Sequence, residues 1–277
     1  MIRACAIALA GLLPALSFGA GALGVKAAVV QEFEDGPPVY KPQGLIPGEA
    51  VHFSFLVENF TNKENHVELS FTARPLDAKG VPLAPDVTGR IDTKLSPEDK
   101  DWMPKLRGMF DLPPILLPGE YKIQIELTDG LSHARASKEI AYLVSAVPVQ
   151  PSESLKVRDL SFYANEDSPK PLETAAYRGV ESIHARFNLI GYQHTTQGKI
   201  DVAYGIVLSD VNGRVLYQEN PAARDETESF YPKPYIPGSL ALNLKPGTPP
   251  GEYTLTIKAF DAIGKQQTES RSSFKLE

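Results

Sequence analysis

Aromatic residues stand beside prolines at two places in the sequence that are suited to binding. The first is W-M-P-K at residues 102–105, and the second is F-Y-P-K at 230–233, which runs on to Tyr235. Proline is rigid and fits poorly into a central strand, so rings next to it are candidates for the protein surface. They form either a platform for a sugar ring, a peptide or a partner domain, or a plug that closes the end of a folded unit. The candidate binding platform consists of Trp102, Phe230, Tyr231 and Tyr235.

Catalytic signatures do not accompany this platform. Beyond residue 27 the sequence lacks G-x-S-x-G, H-E-x-x-H, a cysteine to pair with a histidine, and the phosphate-binding pattern G-x-x-x-x-G-K-[ST]. A G-x-G-x-x-G pattern does occur at residues 19–24, but a dinucleotide site needs it between a strand and a helix. We therefore predict that the chain is not an enzyme and that it binds no cofactor.

Metal binding is not predicted either. The five histidines are scattered, and His52 and His184 occupy matching positions in separate halves of the chain, whereas zinc needs three or four convergent ligands. Asp210 and Gly213 bracket a short turn without the further ligands of a calcium loop. Aspartate and asparagine are common in tight turns because they bond to the neighbouring backbone.

Length and charge narrow the function classes. The 277 residues suffice for about two domains, and 24 prolines with 21 glycines favour many short elements joined by turns. The formal charge is −6, and basic residues do not cluster. Nucleic acid is excluded as a partner, because its phosphates require a basic surface.

The N-terminus has the pattern of a secretory signal peptide. A short basic start with Arg3 precedes an apolar stretch, and small residues offer cleavage after Ala22 or near Ala27. The alternative is an uncleaved anchor, since residues 4–25 are long enough to span a bilayer. We predict a signal peptide over residues 1–27, no membrane span after cleavage, and export to the periplasm or the extracellular space. Cys5 lies in this segment, so the exported chain has no cysteine and no disulfide.

The rest of the sequence repeats itself. Alternating strands beginning at residues 51 and 183 differ in position by 132, and so do two P-G-E-Y corners beginning at residues 118 and 250. Asp77 and Asp210 mark a turn between these landmarks in each copy. Three landmarks in the same order predict an internal duplication.

Each copy resembles a known family. L-P-G-E-Y at residues 117–121 resembles the corner before strand F of fibronectin type III and immunoglobulin-like domains, where a tyrosine bonds back to the chain. Residues 250–264 are similar to the final hairpin of bacterial immunoglobulin-like and PKD-type modules. The resemblance implies an all-β fold of two tandem antiparallel immunoglobulin-like β-sandwich domains, with Tyr121 and Tyr253 as structural corners. The predicted divisions are sandwich repeat 1 at 28–146, a linker at 147–154, and sandwich repeat 2 at 155–277.

Three functions fit these features. The first is a non-catalytic interaction or scaffold protein of the cell envelope with a protein partner. The second is a carbohydrate- or cell-wall-binding protein that stacks sugar rings on the candidate binding platform. The third is a periplasmic assembly chaperone, although the basic pair by which pilus chaperones anchor a client's carboxylate has no match in this sequence.

Overall fold

A computed structural model describes residues 21–40, 44–99, 101–179, 182–245 and 247–277. Most of the predicted signal peptide, residues 1–20, lies outside these ranges. The described residues form fifteen strands and no helix, so the all-β prediction is confirmed. The strands are β1 (Gly24–Gln31), β2 (Ala50–Glu58), β3 (His66–Leu76), β4 (Val87–Lys94), β5 (Lys105–Asp111), β6 (Gly119–Asp129), β7 (Arg135–Val144), β8 (Lys156–Tyr163), β9 (Ala176–Tyr177), β10 (Ser182–Ile190), β11 (Lys199–Asp210), β12 (Val215–Glu228), β13 (Ile236–Asn243), β14 (Gly251–Asp261) and β15 (Gln266–Leu276).

The strands form four sheets with the same order in both halves of the chain. In the N-terminal half, up to residue 144, one sheet has the order β1-β2-β5 and the other β4-β3-β6-β7. In the C-terminal half, from residue 155, the orders are β8-β10-β13 and β12-β11-β14-β15, with the short β9 added at the edge. Neighbouring strands are antiparallel, except that β9 runs parallel to β15.

Each half has its own hydrophobic core, to which every second side chain along the strands contributes. In β2 the buried side chains are Val51, Phe53, Phe55 and Val57, and β6 contributes Tyr121, Ile123, Ile125 and Leu127 to the same cluster. The buried residues of the C-terminal half form a second cluster in the same way. In each half, inward-facing side chains of a three-stranded sheet and of a larger sheet, with four strands in the N-terminal half and five in the C-terminal half, therefore share one sandwich-like core.

Two of the predicted boundaries fall on ordered structure. Residues 24–27, assigned above to the signal peptide, belong to β1, where Gly24 pairs with Glu58 and Val25 with Val57. A boundary after Ala22, the other position that the small residues offer, leaves β1 whole. The segment predicted as a linker contains the buried Val149, and a Cβ atom on Gly191 would lie 2.1 Å from the carbonyl oxygen of Ser154. The end of this segment is therefore packed against the C-terminal half.

A buried aspartate closes the last hairpin of each half. Asp129 ends β6, and its Oδ1 accepts hydrogen bonds from the backbone N–H groups of Leu131 (2.9 Å) and Ser132 (3.1 Å). Its Oδ2 accepts a third from the N–H of Thr61 at 2.6 Å. Asp261 ends β14 and has the same arrangement. Its Oδ1 accepts hydrogen bonds from the N–H groups of Ile263 and Gly264, both at 3.0 Å, and its Oδ2 accepts one from the N–H of Gln193 at 2.9 Å. Each carboxylate thus ties its hairpin to the loop after β2 or β10.

Tyr142 offers a first test of the core packing. Its ring stacks on Tyr121 with centroids 6.1 Å apart, as Phe274 stacks on Tyr253 at 5.7 Å in the C-terminal half. The Tyr142 hydroxyl is buried and has no hydrogen-bond partner among the described residues, and burial raises its pKa. Replacing Tyr142 with phenylalanine should raise the free energy of unfolding by about 1 kcal/mol, because it removes an unsatisfied polar group.

Urea denaturation of the wild type and the Tyr142→Phe variant measures this effect. Tyr121→Phe is the matched control, since the Tyr121 hydroxyl donates a hydrogen bond to the Leu117 carbonyl at 2.7 Å. The control should lose about 1 kcal/mol. Destabilisation by Tyr142→Phe would contradict the description of this side chain.

Candidate functional site

The second aromatic-proline segment crosses from one half of the chain to the other. It lies between β12 and β13, and Tyr231 packs against the hydrophobic core of the N-terminal half. The Tyr231 hydroxyl donates a hydrogen bond to Oδ2 of Asp77 at 3.1 Å, although 154 residues separate the two. Tyr231 therefore joins the halves by both an apolar and a polar contact.

The turn after β3 positions the acceptor for Tyr231. Oδ1 of Asp77 accepts hydrogen bonds from the N–H groups of Lys79 and Val81, both at 2.8 Å, which fixes the carboxylate and leaves Oδ2 free for Tyr231. Asp210 makes the same turn in the C-terminal half, where its Oδ2 accepts from its own neighbour Arg214 instead. Burial raises the pKa of Tyr231, and the negative charge of Asp77 adds to this effect. The phenol accordingly stays a neutral donor at physiological pH.

Lys233 fixes the other end of the segment to the C-terminal half. Its Nζ donates hydrogen bonds to Asp225 (2.9 Å) and Thr227 (2.8 Å), and its carbonyl accepts one from the Tyr192 hydroxyl at 2.8 Å. With Tyr231 held on one side and Lys233 on the other, the backbone between the halves is anchored at both ends. The charge of Lys233 is used in this anchoring, because Asp225 neutralises it.

A groove of about 540 Å³ lies where the two halves meet. We call it the junction groove. Phe230 and Met109 stand in it with 61% and 51% of their surface exposed. The lining consists of residues 83–85, Val87, residues 109–115, residues 229–231 and Lys233. Two of the four residues of the candidate binding platform, Phe230 and Tyr231, therefore belong to one site.

The other two platform residues lie elsewhere. Trp102 is half-buried against the core of the N-terminal half and makes an edge contact with Phe60, with ring centroids 6.0 Å apart. Tyr235 is half-buried, and burial raises its pKa. Neither residue lines the junction groove. The structure thus divides the platform: Phe230 is exposed, and the other three rings are partly covered by the protein itself.

The corner tyrosines occupy equivalent positions and make equivalent bonds. The Tyr121 hydroxyl donates to the Leu117 carbonyl at 2.7 Å, and the Tyr253 hydroxyl donates to the Pro249 carbonyl at 2.6 Å. Each ring is buried at the start of β6 or β14. These residues fix a corner of each sandwich-like core and lie outside the junction groove lining.

Other hollows have less to offer a ligand. One of about 600 Å³ lies beside residues 243–245 and the buried Tyr177, and the described residues of its lining include no platform residue and no exposed aromatic ring. Among the described residues, histidine, cysteine and carboxylate side chains do not gather in groups of three that could hold a metal ion. We therefore treat the junction groove as the candidate site.

Tyr231 provides a test of the contact between the halves. Tyr231→Phe should lower the free energy of unfolding by about 1 kcal/mol through loss of the hydrogen bond to Asp77, and Tyr231→Ala by about 2 kcal/mol or more through added loss of packing. Tyr217→Phe is the control, because the Tyr217 hydroxyl bonds to Glu219 on an exposed strand. Denaturant unfolding measures all three variants. Equal stabilities for Tyr231→Phe and the control would contradict the contact.

Comparison with known proteins assigns no family. No protein-family model matches the chain, and no curated protein matches it. A solved structure that is similar to it is the crystal structure of red sea bream transglutaminase, with 9% sequence identity and a TM-score of 0.26 over 92% of this chain and 31% of that chain. The chain thus spans about a third of that protein's length. At this TM-score the likeness carries no argument about activity or substrate.

One prediction is nevertheless corrected by this comparison. The sequence predicts that the chain is not an enzyme, whereas the similar solved structure is that of an enzyme, a transglutaminase. That prediction is therefore withdrawn. The likeness is too weak to assign a reaction to this chain, so no catalytic residue is named in its place.

Proposed function

We propose that this protein is an exported interaction protein of the cell envelope, which holds a partner protein at the junction groove. The observation that carries the proposal is the exposed Phe230 ring, which lies in an apolar groove built by both halves. Exposed apolar surface beside a fixed junction is typical of protein-binding sites. The anchors at Tyr231 and Lys233 keep the groove in one shape, which reduces the entropy cost of binding.

The fold that we propose is a tandem pair of immunoglobulin-like sandwiches related to fibronectin type III modules. The repeated three-plus-four strand order supports it, as do the matching tyrosine corners and the matching aspartates at 129 and 261. An internal duplication explains why these features recur at a constant spacing. In this description the repeats meet at the linker of residues 147–154.

Export is proposed from the N-terminal sequence. The basic start, the apolar stretch and the small residues before Leu23 support a signal peptide, and cleavage after Ala22 would preserve β1. None of the described residues belongs to a helix long and apolar enough to span a membrane. The periplasm and the extracellular space both suit a chain whose single cysteine lies in the signal peptide.

The placement of the rings favours a protein partner over a polysaccharide. Stacking on sugars needs several exposed ring faces, whereas three of the four platform rings are partly covered. A pilus-type chaperone needs a basic pair for a client's carboxylate. In the junction groove, Lys233 is neutralised by Asp225, so this requirement is not met there.

Crosslinking of the tagged protein in intact cells, followed by mass spectrometry, tests the proposed function. We expect one or two stoichiometric protein partners and a mature N-terminus at Leu23. Retention of the chain on cell wall or polysaccharide without any protein adduct would overturn the proposal. Recovery of the chain in the cytoplasm with residues 1–22 attached would overturn the export that it assumes.

A further inference from the structure

The walls of the junction groove have an unusual composition for a site that would accept another β-strand. Pro113 and Pro114 follow β5 after Leu112, and Pro85 lies shortly before β4; all three line the groove. Proline has no N–H group, so the wall at Pro85, Pro113 and Pro114 cannot donate the hydrogen bonds of a strand ladder. These three positions therefore suit a ligand that binds by side-chain packing.

The exposed apolar groups of the groove stand on both sides of it. Met109 belongs to β5 of the N-terminal half, and Phe230 belongs to the segment after β12 of the C-terminal half. A second hollow, of about 550 Å³, shares Phe230 and Ser229 with the first and continues toward Thr196 and Gln197. An extended ligand can thus cross the Phe230 ring, with apolar contacts on one side of it and polar contacts on the other.

The charge balance of the groove points to a basic ligand. Asp111 lines it with an exposed carboxylate that has no ion-pair partner among the described residues. The basic residues nearby are already paired: Lys233 with Asp225, and both Lys105 and Arg107 with Asp35. The uncompensated charge in the lining is therefore negative, which complements a lysine or arginine.

We propose that the junction groove binds an extended, proline-rich segment of a partner protein that carries an arginine or lysine. Such a segment adopts the polyproline II conformation before it binds, has no internal hydrogen bonds, and packs well on aromatic and proline surfaces. Its prolines contact Phe230, Met109 and Pro114, and its basic side chain pairs with Asp111. This inference rests on the proposed function, because it names the chemistry of the partner at the same groove.

Fluorescence anisotropy with the purified full chain tests this inference. The probe is a labelled peptide of three Arg-Pro-Pro repeats, compared with Glu-Pro-Pro repeats and with Arg-Ser-Gly repeats of the same length. We expect the Arg-Pro-Pro peptide to bind at least about tenfold more tightly than either control peptide, with an affinity that falls as salt rises.

Variants locate the binding. Phe230→Ala should weaken binding of the Arg-Pro-Pro peptide at least about tenfold, and Asp111→Asn should reduce the preference over Glu-Pro-Pro to less than about threefold. Val211→Ala is the matched control, because Val211 is an exposed apolar residue, 73% accessible, outside the groove lining. It should bind as the wild type does.

Three results would overturn the inference: equal binding of the three peptides, an unchanged affinity in Phe230→Ala, or an unchanged charge preference in Asp111→Asn. Circular dichroism of each variant identifies any that does not fold. For such a variant, the peptide affinity is measured with Phe230→Ser or Asp111→Ser instead. A protein partner found by crosslinking together with no peptide selectivity would leave the proposed function standing and reject only the proline-rich ligand. Peptide binding without any partner in cells would reject the proposed function instead.

Discussion

Replacing Asp129 with alanine should lower the free energy of unfolding by about 3 kcal/mol, and Asp261→Ala should have a similar effect. Each carboxylate is almost fully buried and accepts three backbone hydrogen bonds, so its removal leaves three N–H groups without their acceptor. Asp210→Ala is the control, because Asp210 serves an exposed turn and should cost less than about 1 kcal/mol. Denaturant unfolding with far-UV circular dichroism provides the comparison.

The pH dependence of the Asp129 effect follows from its pKa. Burial raises the pKa of Asp129, but the hydrogen bonds from Thr61, Ser132 and Leu131 outweigh burial, so the pKa lies below its usual value. A lowered pKa in the folded state stabilises the protein above the unfolded-state pKa of about 4, and this contribution is lost as the pH falls through the folded value. The difference between wild type and Asp129→Ala should therefore shrink below about pH 4. A difference that grows on acidification would contradict the hydrogen bonding described for this carboxylate.

The second large effect is expected at Gly191. This residue has a φ of 72°, and a Cβ atom on it would lie 2.1 Å from the Ser154 carbonyl oxygen and 2.9 Å from that of Ser152. Because the obstacle is backbone, Gly191→Ala must shift the chain at residues 152–154 as well as strain its own conformation. We expect a loss of about 3 kcal/mol in the free energy of unfolding.

Gly213→Ala separates the two causes. Gly213 has a φ of 79°, but nothing lies within 4 Å of the position of its Cβ atom. This variant should lose only about 1 kcal/mol, from backbone strain alone. Equal losses for Gly191→Ala and Gly213→Ala in thermal or urea unfolding would mean that the backbone at Ser154 does not pack against Gly191.

Most of the fold was predicted from the alternation of apolar residues along the strands and from the residues that are typical of turns. Val51, Phe53, Phe55 and Val57 are buried along β2, as their spacing of two residues predicts, because successive side chains in a strand face opposite sides. The start of β1 was missed for a physical reason: the short apolar residues near Val25 suit both a signal peptide and a strand, and the pairing with Val57 depends on distant residues. The two-residue strand β9 gives no periodic signal at all.

The candidate site was predictable only in part. Proline and aromatic residues identified Phe230 and Tyr231, but the same composition also selected Trp102, which packs on Phe60 instead of facing solvent. The partner of Tyr231 could not be predicted, since Asp77 has the same turn signature as Asp210 and lies 154 residues away. Local sequence indicates which side chains are stiff and apolar, and tertiary structure decides which of them remain exposed.

The most direct test of partner binding at the junction groove places a photo-crosslinking residue, p-benzoylphenylalanine, at position 230 in the protein as cells produce it, with position 211 as the control. Both native side chains are exposed and apolar, but only Phe230 lies in the junction groove. We expect a discrete protein adduct on illumination from position 230 and none from position 211. No adduct at position 230, or the same adducts from both positions, would contradict the claim that the junction groove is where this protein holds its partner.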